Sequence, residues 1–201
     1  MKYLSIDIET TGLDREKHQI LEFAAIYEDT HQQLDFDSIA KYRRIILNHG
    51  DVIGSPYAIT MPHNHEILKI LANIPPESSG GKCVEYYVSN KIIEIDFLAR
   101  DFANWYSLVT KQLETPFKVN VAGKNFRDFD YEFLKRVPEL FKYFKFNRRY
   151  IDLGSRIVDF SDDEEIPNQN ECLSRLNIHE KVRHDALNDA WQVILALRKT
   201  Y

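Results

Sequence analysis

The sequence predicts an α/β protein, a mixed sheet that opens with three antiparallel strands and carries flanking helices. Three observations lead there. Residues 2–8 alternate between two faces, and two further β-rich runs follow before residue 50. Helical periodicity then takes over. Two short β-type runs are set among the later helices, an order that favours a mixed sheet with helices packed on it.

The elements follow in chain order. In the first strand Leu4, Ile6 and Ile8 share one face, and Ser5 and Asp7 share the other, which Glu9 continues. Residues 20–28 (ILEFAAIYE) and 38–47 (SIAKYRRIIL) complete an antiparallel meander. Residues 64–72 give a short amphipathic helix. Pro75-Pro76 and Ser78-Ser79-Gly80-Gly81 predict a long surface loop, read as an insertion near 75–90 within one domain over 1–201. Ile95, Leu98, Phe102, Trp105 and Val109 fall on one face of a helix over 95–114. Residues 117–122 form a buried strand, 127–136 a helix stopping near Pro138, 149–153 a short strand and 186–199 a last helix. Residues 162–170 form an acidic polar loop.

The 201 residues are enough to bury a core, roughly 70% of the unfolded surface at this size. A net charge of -5 argues against a body built to grip long duplex nucleic acid, which usually presents a basic face. It suits an enzyme that holds a few nucleotides and takes its positive charge from metal ions. Cys83 and Cys172 stand far apart with no paired His, as free thiols of a reducing compartment do. No stretch approaches the ~20 apolar residues of a membrane span, and residues 1–7 lack a signal-peptide pattern. The expectation is a soluble cytoplasmic protein with no membrane partner.

Three segments carry chemistry. In Asp7-Ile8-Glu9-Thr10-Thr11-Gly12-Leu13 the two acids are two apart on a strand, so both carboxylates project from one face. Like charges so close are costly unless a hard divalent cation neutralises them, and oxygen ligands suit Mg²⁺ or Mn²⁺. Thr10, Thr11 and Gly12 then turn the chain and offer backbone N–H groups where a nucleotide would sit. In the second segment, residues 122–134, Asp130 precedes Phe133-Leu134, which anchor its helix in the core. Asp130 is therefore favoured over its rival Asp128. In the third segment His184 and Asp189 are five apart, which is off a common helical face. The conflict disappears with His184 in a loop, Asp185 as N-cap and Asp189 in the first helical turn.

Together these segments resemble the three exonuclease motifs of the DnaQ-like, or DEDDh, 3′→5′ exonuclease superfamily. Asp7-x-Glu9 with Thr-Gly-Leu resembles the first motif, Asn125-x4-Asp130-x2-Phe133-Leu134 the second, and His184-x4-Asp189 the third. The resemblance implies a ribonuclease H-like fold and a two-metal mechanism on a single-stranded DNA or RNA 3′ end. It implies Asp7, Glu9, Asp130 and Asp189 as ligands of two Mg²⁺ or Mn²⁺ ions, and His184 as general base. An imidazole ordinarily titrates near neutrality and so accepts a proton there. The product would be a nucleoside 5′-monophosphate, and a homodimer or a polymerase partner is compatible with the family. The competing reading is an inactive module of the same fold that binds nucleic acid or a polymerase. The presence of all five side chains speaks against it.

Secondary candidates are weighed on both sides. Leu13 either stacks on a terminal base or packs in its turn. Asn125 either contacts substrate or caps the helix after it. Asp152 reads as a strand-end acceptor, and Asp162-Asp163-Glu164-Glu165 as a solvated loop. Lys124, Arg127, Arg148, Arg149, Lys181 and Arg183 flank the motifs and are candidates for phosphate contacts. The tract 141–146 (FKYFKF) reads as a buried helix face with solvated lysines, in preference to a platform for bases.

Overall fold

The structure, a computed structural model, describes residues 1–179 and 182–201. Lys181 lies outside the described residues. The strands are β1 (Lys2–Thr10), β2 (Ile20–Asp29), β3 (Ala40–Leu47), β4 (Ile92–Glu94), β5 (Phe117–Val119), β6 (Val121–Gly123), β7 (Phe144–Phe146) and β8 (Ile151–Asp152). The helices begin with α1 (Pro56–Thr60), α2 (Pro62–Ala72), α3 (Gly81–Asn90) and α4 (Ile95–Thr110). They continue with α5 (Asp130–Leu134), α6 (Leu140–Tyr143), α7 (Leu153–Ile157), α8 (Gln169–Arg175) and α9 (Ala186–Arg198).

Among the described residues the strands form a six-stranded sheet of order β4-β3-β2-β1-β6-β8 and a two-stranded sheet of β5 and β7. β1, β2 and β3 are antiparallel, and β4, β6 and β8 join in parallel. This is the mixed ribonuclease H-like sheet expected from the sequence. The alternation in β1 sets its two faces. Leu4, Ile6 and Ile8 enter a core that holds Phe23, Phe102 and Phe144. There the Phe23 and Phe102 rings meet edge to face at 4.9 Å, and Phe102 stacks on Phe144 at 4.6 Å. A buried Phe of this kind is worth ~3–5 kcal/mol against Ala.

Tyr3 on the other face packs with Ala190, Ile194 and Leu197 of α9. Polar contacts also fix that helix on the sheet. The Ser5 hydroxyl donates to the Ala190 carbonyl at 2.7 Å. The Arg198 guanidinium forks onto the buried Glu28 carboxylate at 2.8 and 2.7 Å. Paired in this way a buried acid is tolerated; losing one partner of such a pair costs ~3–5 kcal/mol.

Four expectations need correction. The stretch 75–90 is not one loop, since a 3₁₀ turn at Glu77–Ser79 leads into α3. The Pro and Gly residues there mark the entry to a helix, whose residues are all partly or fully exposed. The run 117–122 is two strands in different sheets. Asn120 divides them, its carbonyl accepting from the Leu4 N–H at 2.9 Å while its amide donates to the Lys2 carbonyl at 3.0 Å. The helix expected over 127–136 is only α5, because the N–H groups of Asp128 and Phe129 both turn back to the Asn125 carbonyl at 3.0 Å. The tract 141–146 crosses from α6 into β7, with Phe144 and Phe146 buried and Lys142 and Lys145 exposed. Cys83 and Cys172 are both free thiols. Among the described residues no helix is long and apolar enough to cross a membrane.

Candidate active site

A cleft of about 650 Å³ opens at the C-terminal end of β1. Asp7, Glu9, Asp130, His184 and Asp189 all line it, and all belong to one chain. Its position follows from the sheet. β1 pairs with β6 only at Leu4–Val121 and Ser5–Ala122. Beyond that the chain leaves for the turn before α5, and the Ile8 N–H donates to Asp130 Oδ1 at 3.1 Å. Asp130 is buried in the cleft wall, whereas Asp128 is exposed and faces a neighbouring groove. Of the two acids of the second segment, it is Asp130 that lies in the cleft.

The third segment has the arrangement its spacing required. Asp185 caps α9, its carboxylate accepting from the N–H groups of Leu187 and Asn188 at 3.1 and 3.2 Å. His184 precedes the cap with φ of +53°, an exposed residue in the left-handed region. Asp189 lies in the first helical turn and accepts from the Arg183 N–H at 3.3 Å. Ligand-type atoms of Glu9, His184 and Asp189 come within 4.8 Å of one another.

The first segment divides its tasks. Thr10, Gly12 and Leu13 line the cleft, and Leu13 is 81% exposed. A Cβ on Gly12 would lie 2.3 Å from His18 Nδ1, so only glycine fits there. Thr11 is buried away from the cleft. Its hydroxyl accepts from the Gln19 N–H at 2.9 Å and donates to the Ile53 carbonyl, pinning the loop beyond β3. Asn125 also lies outside the cleft and caps no helix with its side chain. It sits in a left-handed turn, φ +58°, its N–H given to Asp152 Oδ2 at 2.9 Å. Asp152 is a strand-end acceptor as expected and caps α7 through the Ser155 N–H at 2.8 Å. Of the flanking basic residues, Lys124 lines the cleft, while Arg127 is held by Glu132 at 2.9 Å. In the acidic loop Asp163 is not simply solvated. It pairs with Arg175 at 2.6 Å, which holds its carboxyl down at about 2.

Several cleft residues gave no signal in the sequence. His18, Ser55, Tyr57, Ala58, Met61 and Asn64 also line the cleft, four of them from α1, α2 and the residue between them. Glu22 is the other surprise. It stands directly across from Glu9 in the β1–β2 ladder and is 0% exposed. One hint was available, because an acid inside an otherwise apolar strand is almost never fully buried without a partner.

Burial and crowding raise the carboxyls of all four acids. Burial, then the charges of Asp130, Glu9, Asp189 and Glu22, keep the Asp7 carboxyl well above its ordinary value. Burial, with Asp189, Glu22, Asp185 and Asp130 adding repulsion, pushes Glu9 up to about 9. Burial lifts Asp130 to about 8 and Asp189 to about 6, against the backbone N–H donors that lower them. Four acids in one cleft, each costly to ionise alone, are a donor set that fits hard divalent cations. These pKa values are raised on folding. Their stabilisation is therefore complete below the unfolded carboxylate range near 4 and is lost as pH rises towards about 9. In chelator the melting temperature should fall across that window, and Mg²⁺ or Mn²⁺ should restore it by an amount that grows with pH. Calorimetry at pH 5, 7 and 9 checks this; a metal-induced gain that stays flat with pH would contradict it.

No protein-family model matches the sequence, and no curated protein matches it. Solved structures do match in fold. The nuclease domain of 3'hExo, a DEDDh family member bound to rAMP, superposes with a TM-score of 0.64 at 16% identity, over 99% of this chain and 90% of that one. Cell-death related nuclease 4 (CRN-4) gives 0.61 at 15% identity, over 99% and 63%. E. coli exonuclease I in complex with a dT13 oligonucleotide gives 0.60 at 14%, over 98% and 40%. The chain thus spans less than half of exonuclease I. It has the fold of the DEDDh exonucleases.

Proposed function

We propose that the chain is a metal-dependent 3′→5′ exonuclease that releases nucleoside 5′-monophosphates from single-stranded DNA or RNA. The observation that carries this reading is the convergence of Asp7, Glu9, Asp130, Asp189 and His184 on one cleft. The fold neighbours support it, since exonuclease I was seen with oligonucleotides and 3'hExo with rAMP. Asp7, Glu9, Asp130 and Asp189 would hold two Mg²⁺ or Mn²⁺ ions, which supply charge neutralisation for an in-line displacement at phosphorus. His184, exposed at the cleft rim, would take the proton of the attacking water at an imidazole nitrogen. Leu13 and Tyr57, 81% and 78% exposed at the cleft, would cover the terminal base. Thr10 and Gly12 would line its sugar, and Lys124 would meet a phosphate. Neither a second copy nor a polymerase is needed to complete the set.

The test uses 5′-labelled RNA, single-stranded DNA and duplex DNA, each with Mg²⁺, Mn²⁺ or chelator. The expected result is a ladder that shortens from the 3′ end of the single strands and vanishes in chelator. No release on any substrate with either metal would overturn the reading and favour an inactive binding module.

A further inference from the structure

Glu22 does not line the cleft, yet three parts of the molecule meet on it. Its carboxylate pairs with the Arg43 Nε on β3. It is hydrogen-bonded at 2.9 Å to His63 Nε2, in the first turn of α2. It accepts from the Ala186 N–H, the first residue of α9, at 3.0 Å. Burial alone would raise this carboxyl; the His63 hydrogen bond and the Arg43 charge outweigh it and hold it below its ordinary value. Ala186 is two residues from His184. The next residue of α2, Asn64, is buried and donates to the Thr10 carbonyl at 3.1 Å and the Ala58 carbonyl at 3.0 Å. The first turn of α2 therefore holds both halves of the cleft, Thr10 through Asn64 and the His184 loop through His63 and Glu22. The wall that carries Tyr57 and Met61 is continuous with that turn.

We infer that His63 is a positioning residue that, through Glu22, sets the His184 loop in register with the α1–α2 wall where the terminal nucleotide sits. This deepens the exonuclease reading and rests on it. His184 is exposed on a left-handed turn, and its backbone is placed by the segment around it: Asp189 accepts from the Arg183 N–H at 3.3 Å, and Glu22 accepts from the Ala186 N–H at 3.0 Å. The Glu22–Ala186 bond fixes where that segment starts, and His63 fixes which way the Glu22 carboxylate faces. Outer partners of this kind are worth ~10- to 100-fold in activity.

The test is His63→Ala, alone and combined with His184→Ala, on a single-stranded oligonucleotide with Mg²⁺. His63→Ala should lower kcat ~10- to 100-fold while KM stays within about twofold. His63→Gln, which keeps a donor towards Glu22, should recover most of the loss. In the His184→Ala background His63→Ala should cost nothing further, because both act through one group. Amide exchange should show faster exchange at Ala186 in His63→Ala than in the unsubstituted chain. Wild-type kcat in His63→Ala, or a loss that adds fully to that of His184→Ala, would overturn the inference. If the unsubstituted chain releases no nucleotide at all, the exonuclease reading fails instead. The exchange measurement then decides the linkage, and unchanged protection at Ala186 rejects it.

Discussion

Asp7→Ala and Asp189→Ala are each expected to abolish nucleotide release and divalent-cation binding together. The two acids come from different elements, the middle of β1 and the first turn of α9, and both line the cleft. Burial and the neighbouring acids raise both carboxyls, so the ionised form of each is costly until a cation neutralises it. Removing one should leave turnover at the level seen with chelator, and titration calorimetry with Mn²⁺ should show the matching loss of affinity. The same substitutions should make the metal-free protein more heat-stable at pH 9, because one member of a mutually repelling set is gone. That opposition of stability and function separates a ligand from a structural acid. A variant that keeps normal turnover, or that loses activity only by unfolding, would sink the assignment.

His184→Ala is the second large effect, a fall in turnover of ~10²- to 10⁴-fold with Mn²⁺ affinity nearly unchanged. The distinction matters because His184 lies close enough to Glu9 and Asp189 to serve as a ligand itself. Its position argues for proton transfer. The ring is exposed at the rim, whereas Glu9, Asp130 and Asp189 are buried in the wall. Parallel loss of metal affinity and turnover in His184→Ala would move His184 into the ligand set and leave the proton-accepting role to be reassigned.

The features legible in the sequence were those written in short-range pattern. Strict alternation in residues 2–8 gave β1 and the shared face of Asp7 and Glu9. The five-residue interval from His184 to Asp189 admitted one sensible geometry, with Asp185 as cap, and the structure has it. Asp130 is favoured over Asp128 because Phe133-Leu134 follow it, and the Ile8 N–H bond shows it turned into the cleft. Asn120 was illegible: its carbonyl is claimed by Leu4, so one apolar run divides between two sheets. Glu22 and the α1–α2 wall were missed because their meaning lies in partners distant in sequence. Arg43 and His63 stand 21 and 41 residues away from Glu22, and Ala186 stands 164 away. α3 was missed because its half-buried stripe, Cys83, Tyr86, Tyr87 and Asn90, is short and only partly apolar and follows a Pro-, Ser- and Gly-rich entry.

The docking of α9 on β1 has a consequence for synthesis. Ser5 and Ala190, which hold the two together beneath the cleft, lie 185 residues apart in the chain. Contacts of such long range form late, after most of the polypeptide is available to close the loop. A nascent chain that has emerged only through residue 170 carries Asp7, Glu9 and Asp130, but neither His184, nor Asp189, nor the helix that covers that face of the sheet. On the proposed reading the five-residue set is therefore assembled only after the segment that carries His184 and Asp189 has been made and α9 has docked.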